Sequence, residues 1–269
     1  MKIYKINVKI PHTTNVYTIY SDNLELVKKL KIYYGSFIDE FDYIGTNTIR
    51  YIEGILSIKK QPFGNAGVQN ENVALSNIIM YIRNHIITEP DWFLYHGACS
   101  VINGKTYLFI GHSTAGKTTL STFLHYQPNV ISVSEDICIV NYKELTVESI
   151  QRPFFLRQKS YDLLTGGYDL DIHRLGIINY NINEKIIANM NSIQPGQIYK
   201  IDEIIFLHLN DAGFKKERTG DISGLLENSY NSLEIYKGIC SASIIRKKIP
   251  MFQMYYYDLI ETYKFLTHG

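Results

Sequence analysis

The chain is poor in the residues that cross-link, break or anchor a fold. Its 269 residues include three cysteines, seven prolines and one tryptophan. Cys99, Cys138 and Cys240 lie far apart and make no Cys-x-x-Cys pair, which argues against a disulfide framework or a cysteine-built metal site. Neither sign of charge dominates: 27 Lys+Arg face 26 Asp+Glu, for a formal net charge of +1. That balance excludes a nucleic-acid binder driven by a global positive field. No apolar run approaches the roughly 18 residues of a membrane span. The start, Met1-Lys2-Ile3-Tyr4-Lys5, lacks the apolar core of a signal peptide. The expectation is a reduced, cytoplasmic chain with neither a nucleic-acid nor a membrane partner. There is no internal repeat and no low-complexity tract.

What is present suits a soluble globular chain, with 45% hydrophobic and 20% charged residues. The length fits one or two domains with a real core. The 22 tyrosines, with many Ile, Lys and Asn, all have AT-rich codons, so genome composition explains them more simply than a tyrosine-rich binding surface.

The pattern along the chain divides near residue 90. Residues 5 to 10 alternate apolar and polar as a half-buried strand does. Asp22 and Glu25 read as a capping box for a short helix through Leu24, Val27 and Leu30. Residues 48 to 60 read as strand, and Pro62, Gly64 and Gly67 as a loop. Leu75, Ile78, Ile79, Ile82 and Ile86 recur at helical spacing, predicting a helix over 71–88 that Glu89-Pro90 ends. This gives a small mixed α+β module over 1–90, the natural place for substrate selection, or an extension of the following sheet.

From residue 91 the pattern becomes α/β. Residues 106 to 110 form an apolar strand, a glycine-bearing loop follows, and a helix begins near Thr118. Residues 129 to 140 read as one or two strands, and 203 to 209 as a core strand. Ile222, Leu225, Leu226, Leu233 and Tyr236 predict an amphipathic helix capped by Asp221.

The chemistry concentrates in Gly111-His112-Ser113-Thr114-Ala115-Gly116-Lys117-Thr118, which fits G-x-x-x-x-G-K-[ST] between a predicted strand and a predicted helix. Glycines let successive N–H groups turn toward phosphate oxygens, and the helix N-terminus adds partial positive charge. Lys117 would reach the β- and γ-phosphates, the Thr118 hydroxyl would ligate Mg²⁺, and Thr119 continues the cradle. His112 and Ser113 would contact phosphate through backbone N–H. No Leu-Ser-Gly-Gly-Gln motif is present, and Asn141-Tyr-Lys-Glu144 is not the guanine-reading Asn-Lys-x-Asp.

His96-Gly97-Ala98, the run Gly104 to Leu120 and Val133-Ser-Glu135-Asp136-Ile-Cys-Ile resemble the catalytic domain of the HPr kinase/phosphorylase family. There a His-Gly pair precedes the phosphate-loop strand and an Asp-Asp pair follows the helix. Asp171-Ile-His-Arg-Leu-Gly-Ile-Ile-Asn179 is similar to that family's Glu-Val-Arg-Gly-Leu-Gly-Ile-Ile-Asn signature. The resemblance spans about residues 93 to 180. The spacing is closer still to HPr-kinase-related kinases of biosynthetic clusters, some of which phosphorylate a serine of a ribosomally made precursor peptide, as in lasso peptide maturation.

The resemblance implies a P-loop kinase core over 91–269 behind the N-terminal module, with ATP and Mg²⁺ as cofactors. The acceptor hydroxyl would belong to a peptide serine or a small-molecule alcohol, and the chain would assemble as a homo-oligomer. Asp136 matches the general base, His96 the histidine that tunes it, and Glu135 and Asp171 the metal-side carboxylates. Mg²⁺ prefers such oxygen ligands, and an alcohol needs a carboxylate for its proton. Departures are Thr114 for a loop glycine, Glu-Asp for Asp-Asp, and His173-Arg174 for Arg-Gly. The flexible arginine-glycine loop that grips HPr has no match, which speaks against HPr as substrate. Asp211 is a rival metal-side acid in an ordinary P-loop hydrolase. Arg152 and Arg157, flanking Pro153-Phe-Phe, read equally as transition-state cations or as packed, snorkelling surface. A nucleotide-binding regulator without transferase activity and a nucleotide-hydrolysing partner in a larger assembly stand as the alternative readings.

Overall fold

The fold is that of a computed structural model describing residues 1–39, 44–58, 70–150, 152–180, 183–189, 195–210, 214–230 and 234–268. The loop at Pro62, Gly64 and Gly67, Leu233 and Asp211 lie outside the described residues, and Asn179 is described in its backbone only.

The alternation of residues 5 to 10 becomes β1 (Tyr4–Lys9). It pairs antiparallel with β2 (Val16–Ser21), Ile6 facing Ile19 and Val8 facing Tyr17. Helix α1 (Leu24–Tyr34) follows, then β3 (Ile38–Asp39), β4 (Asn47–Ile52), β5 (Ile55–Ile58) and α2 (Glu71–Asn84). These strands form their own sheet, ordered β3-β1-β2-β4-β5. The single strand expected over 48–60 is a hairpin turning at Glu53 and Gly54, both at positive φ.

Two helix ends differ from expectation for physical reasons. Asn23, not Asp22, caps α1: its side chain accepts from Leu26 N–H at 2.9 Å, while Asp22 accepts from Glu53 N–H and Glu25 pairs with Lys28. Helix α2 stops at Asn84, short of Glu89-Pro90. The Ile87 carbonyl is taken by Thr14 N–H, and Glu89 N–H donates to the His12 carbonyl, so extended pairing wins over the β-branched helix end.

The second part runs β6 (Trp92–Tyr95), β7 (Gly97–Ile102), β8 (Lys105–Ile110), α3 (Lys117–His125), β9 (Val130–Glu135), β10 (Cys138–Asn141), β11 (Thr146–Glu148), β12 (Phe154–Leu156) and α4 (Gln158–Asp162). A π-turn over Leu163–Gly167 leads to β13 (Arg174–Tyr180), β14 (Asn183–Ala188), β15 (Ile198–Lys200), β16 (Glu203–Leu209) and β17 (Lys215–Arg218). The chain closes with α5 (Ser223–Glu227), α6 (Ile235–Lys248), β18 (Met251–Tyr256) and α7 (Leu259–His268). The one helix expected through Ile222 and Tyr236 is thus two, α5 and α6. Asp221 accepts from Ser223 N–H at the start of α5.

A six-stranded sheet ordered β17-β18-β16-β8-β7-β9 carries β8, β16 and β18 in parallel at its centre. Both faces are covered. Tyr107, Phe109, Ile205 and Leu207 enter one core with Leu120, Phe123 and Leu124 of α3. Leu108, Ile110, Ile204 and Phe206 enter another with Leu225, Ala242 and Ile245. Burial on both faces explains the continuous apolar runs 107–110 and 204–207. A four-stranded sheet, β15-β11-β10-β6, and a three-stranded one, β12-β14-β13, complete the α/β architecture. The core of the N-terminal sheet runs past residue 90 to include Leu94, Ile137, Ile139, Phe155, Ile187 and Tyr230. No helix among the described residues is long and apolar enough to cross a membrane.

Candidate active site

The Gly111–Thr118 segment leaves the end of β8 and enters α3 directly. Gly116 is the N-cap at φ 82°, the left-handed region that only glycine enters without strain. A Cβ there would also collide with the Tyr256 hydroxyl, which donates to the Ala115 carbonyl at 2.9 Å and braces the loop from β18. Thr114 stands at φ 80°, so the position asks for glycine geometry although a β-branched residue fills it. His112, Ser113 and Thr114 are exposed at the tip; Ala115 and Lys117 are buried.

Lys117 turns back into its own loop. Its ammonium donates to the Gly111 carbonyl at 2.5 Å and to the His112 carbonyl at 3.0 Å, leaving a third N–H for an incoming anion. Burial pulls its pKa down, against the attraction of Glu135 and Asp136. Thr119 donates to Ser160 of α4 at 2.9 Å, tying the helix start to its neighbour. His112 lies 3.6 Å from Glu227.

The acids sit where two paired strands change sheets together. β6 and β10 pair in the four-stranded sheet, while β7 and β9 pair in the six-stranded one. His96 is the corner between β6 and β7, and Asp136 is the corner between β9 and β10. The two corners face each other, with His96 Nε2 3.3 Å from Asp136 Oδ1. Asp136 takes φ 67°, and Ile137 N–H donates to the Glu135 carbonyl at 2.8 Å, closing a strained three-residue turn. Gly97 is required beside His96, because a Cβ there would stand 2.6 Å from the Phe109 carbonyl.

Adjacent in sequence, Glu135 and Asp136 have opposite electrostatics. Glu135 is buried and accepts from Ser121 Oγ at 2.6 Å. Desolvation pushes its pKa up to about 7, although the Ser121 and Thr118 hydroxyls pull it down. Asp136 also meets a desolvation penalty, yet His96 and the Arg152 charge hold its carboxyl well below the usual range. Arg152 Nη1 donates to Asp136 Oδ2 at 3.3 Å, and Tyr230 donates to the Asp136 carbonyl at 2.9 Å.

Lys117, Thr118, Glu135, Asp136 and His96 therefore converge, Thr118 joining the loop to Glu135 through its hydroxyl. Asp171 does not join them. It is exposed, no hydrogen bond or ion pair links it to Thr118, Glu135 or Asp136, and its charge bears on Tyr126, the residue that closes α3. That end lies about 12 Å of helix from Thr118. Among the described residues no three His, Cys, Asp or Glu side chains gather as a cation site. Arg157 is exposed, whereas Arg152 is 1% exposed and no snorkelling surface residue.

Ser121, Tyr230 and Tyr256 had no sequence signal of their own. Ser121 could have been found as the residue one turn after Thr118 on the α3 face; the two tyrosines could not.

No protein-family model matches the chain, and no curated protein matches it. Among solved structures the chain is similar to the Hpr(Ser) kinase/phosphatase from Coxiella burnetii. The identity is 11% and the TM-score 0.31, over 64% of this chain and 87% of that one.

Proposed function

We propose that the chain is an ATP- and Mg²⁺-dependent kinase that transfers the γ-phosphoryl group to a hydroxyl, with a serine of a ribosomally made precursor peptide as first-choice acceptor. One observation carries the reading: the strand–loop–helix turn sets the Thr118 hydroxyl against Glu135, whose sequence neighbour Asp136 has its proton affinity driven the opposite way.

The chain's own residues divide the work. The loop N–H groups and the start of α3 hold phosphate oxygens. Lys117 moves from its loop carbonyls to the phosphates. Thr118 and Glu135 would hold the metal; a hydroxyl and one carboxylate suit Mg²⁺, which keeps waters and takes its remaining ligands from phosphate. Bound Mg²⁺ supplies charge neutralisation on the phosphate oxygens. Asp136, ionised and aimed by His96, accepts the hydroxyl proton as the new O–P bond forms and the bond to the departing diphosphate breaks. Its low proton affinity makes it an orienting acceptor, which suffices because phosphoryl transfer depends chiefly on positioning and charge. The 1–90 module would select the acceptor.

The test is transfer of labelled γ-phosphate to serine peptides and to small alcohols, comparing wild type with Asp136→Asn. The variant is expected to keep its nucleotide affinity and to lose roughly 100- to 10,000-fold in transfer. An unchanged rate removes Asp136 as the base. Nucleotide binding with no transfer to any acceptor supports the second reading, a nucleotide-binding regulator, which the locking of Asp136 between His96 and Arg152 favours.

A further inference from the structure

Arg152 is the unusual group in the molecule's interior. It is 1% exposed and stands in the connection between β11 and β12. Its Nε donates to the Tyr33 carbonyl at 3.0 Å, its Nη1 donates to Asp136 at 3.3 Å, and its Nη2 has no hydrogen-bond partner among the described residues. The rings of Tyr33, Phe37 and Phe155 surround the guanidinium, at 4.7, 5.8 and 5.6 Å from its central carbon. Burying a guanidinium is costly unless it is paired, and an apolar side chain would fill such an aromatic cage without that cost. The residue is therefore explained by what its fork reaches.

What it reaches lies on two sides of residue 90. Tyr33 belongs to the last turn of α1, where the helix dipole leaves the carbonyls negative and attractive to a cation. Asp136 belongs to the strained corner between β9 and β10. The cage is divided likewise, Tyr33 and Phe37 from the N-terminal sheet's helix end and Phe155 from β12.

We propose that Arg152 is a positioning residue that fixes the Asp136 carboxylate to the end of α1, so that the N-terminal module sets the aim of the candidate base. The proposal rests on the kinase reading for what Asp136 does, but not for how it is held. One prong of the fork is occupied by Asp136 and the other is unused, so a small movement of α1 changes the pair from single to bidentate or breaks it. The titratable groups facing Asp136 are His96 at the β6–β7 corner, Arg152, Lys185 of β14, Tyr230, Cys138 of β10, and Lys117 and Glu135 on the loop side. Arg152 and His96 touch the carboxylate directly.

The test uses the full chain labelled with ¹³C at aspartate side-chain carboxyls, the Asp136 signal being assigned by its loss in Asp136→Asn. At neutral pH that line is expected to change its chemical shift in Arg152→Met, as the carboxylate loses its fixed partner, and kcat to fall about tenfold at unchanged KM for ATP. Circular dichroism confirms that the variant is folded. An unmoved line and an unmoved kcat in the folded variant overturn the proposal. If Arg152→Met does not fold, Arg152→Lys carries the test. It keeps the charge and loses the fork, so the Asp136 line is expected to stay ionised but to change its chemical shift, and kcat to fall about tenfold at unchanged KM for ATP; an unmoved line and an unmoved kcat overturn the proposal. The resonance is read without turnover, so a chain that transfers no phosphate, yet whose Asp136 answers to Arg152, refutes the kinase reading and leaves the coupling standing.

Discussion

The phosphate-loop side and the acid corner of the candidate site are built in different ways. The loop is local: Gly111 to Thr118 run consecutively, and Lys117 bonds residues five and six positions earlier. The acid corner is assembled from afar. His96, Asp136, Arg152, Tyr230 and Tyr33 come from five segments and meet because two strand pairs cross between sheets at one place. A local site tolerates drift in the rest of the molecule, whereas an assembled one reports on it. The Gly111–Thr118 half can therefore stay constant while the Asp136 corner changes with its distant partners; in the proposed kinase the first would grip phosphate and the second would meet the acceptor.

Perturbations that act on one side alone sharpen this contrast. The largest expected effect is at Glu135, where the two sides touch. Its folded pKa of about 7 exceeds its ordinary value of 4.5. The unfolded chain thus releases this proton first, and stability falls as pH rises from 4.5 through about 7. The linkage amounts to about 3 kcal/mol. Urea unfolding across that range should show the slope in wild type and its loss in Glu135→Gln; parallel curves would mean that Glu135 is not held as a buried acid.

Next comes Lys117→Ala. Calorimetry should find nucleotide affinity weakened by about 100-fold, as expected for losing charge-assisted bonds to phosphate. Because Lys117 also attracts Asp136, the acid corner should feel the loss, but less than the loss of Arg152, which touches the carboxylate directly; an unchanged nucleotide affinity would remove Lys117 from the phosphate site.

Gly116→Ala should lower stability by about 2 kcal/mol, from left-handed strain and the collision with Tyr256. Tyr256→Phe should restore part of that loss in the double variant, since the hydroxyl is the atom struck. Additive effects in thermal melts would show that the added methyl does not strike the Tyr256 hydroxyl.

The smallest effect is Thr114→Gly. Relief of strain at φ 80°, less the entropy cost of glycine, should stabilise the chain by about 1 kcal/mol. A melting temperature that falls instead would mean the threonine makes a contact worth more than the strain.

Legibility followed the same division. Residues 203–209 were readable as a strand, because burial on both faces leaves the apolar run 204–207 at its centre. The strand–loop–helix order around Gly116 was readable because glycine, lysine and threonine act within one turn of their neighbours. The start of α1 was not, because Asn23 and Asp22 are equally good caps on paper and the choice fell to Glu53, which claims Asp22; nor was the end of α2, which the distant Thr14 and His12 set by pairing with residues 87 and 89. Asp171 matches a signature, yet its charge bears on Tyr126 at the far end of α3, since similarity over a short run carries no information about which way the following strand leaves. Arg152 was visible as a cation beside two phenylalanines, but not as a buried one, because its partners Tyr33 and Asp136 lie in distant segments.

The sequence by itself determined a glycine loop between a buried strand and a helix, and two neighbouring acids on the strand that follows, since each depends on residues only a few positions apart. Only the tertiary structure decided which acid is ionised, which is kept near neutrality by burial, and that the ionised one is held by a residue leaning on the N-terminal helix. Proton affinity is set by the dielectric and the charges within a few ångströms, and those neighbours come together only when the sheets pack.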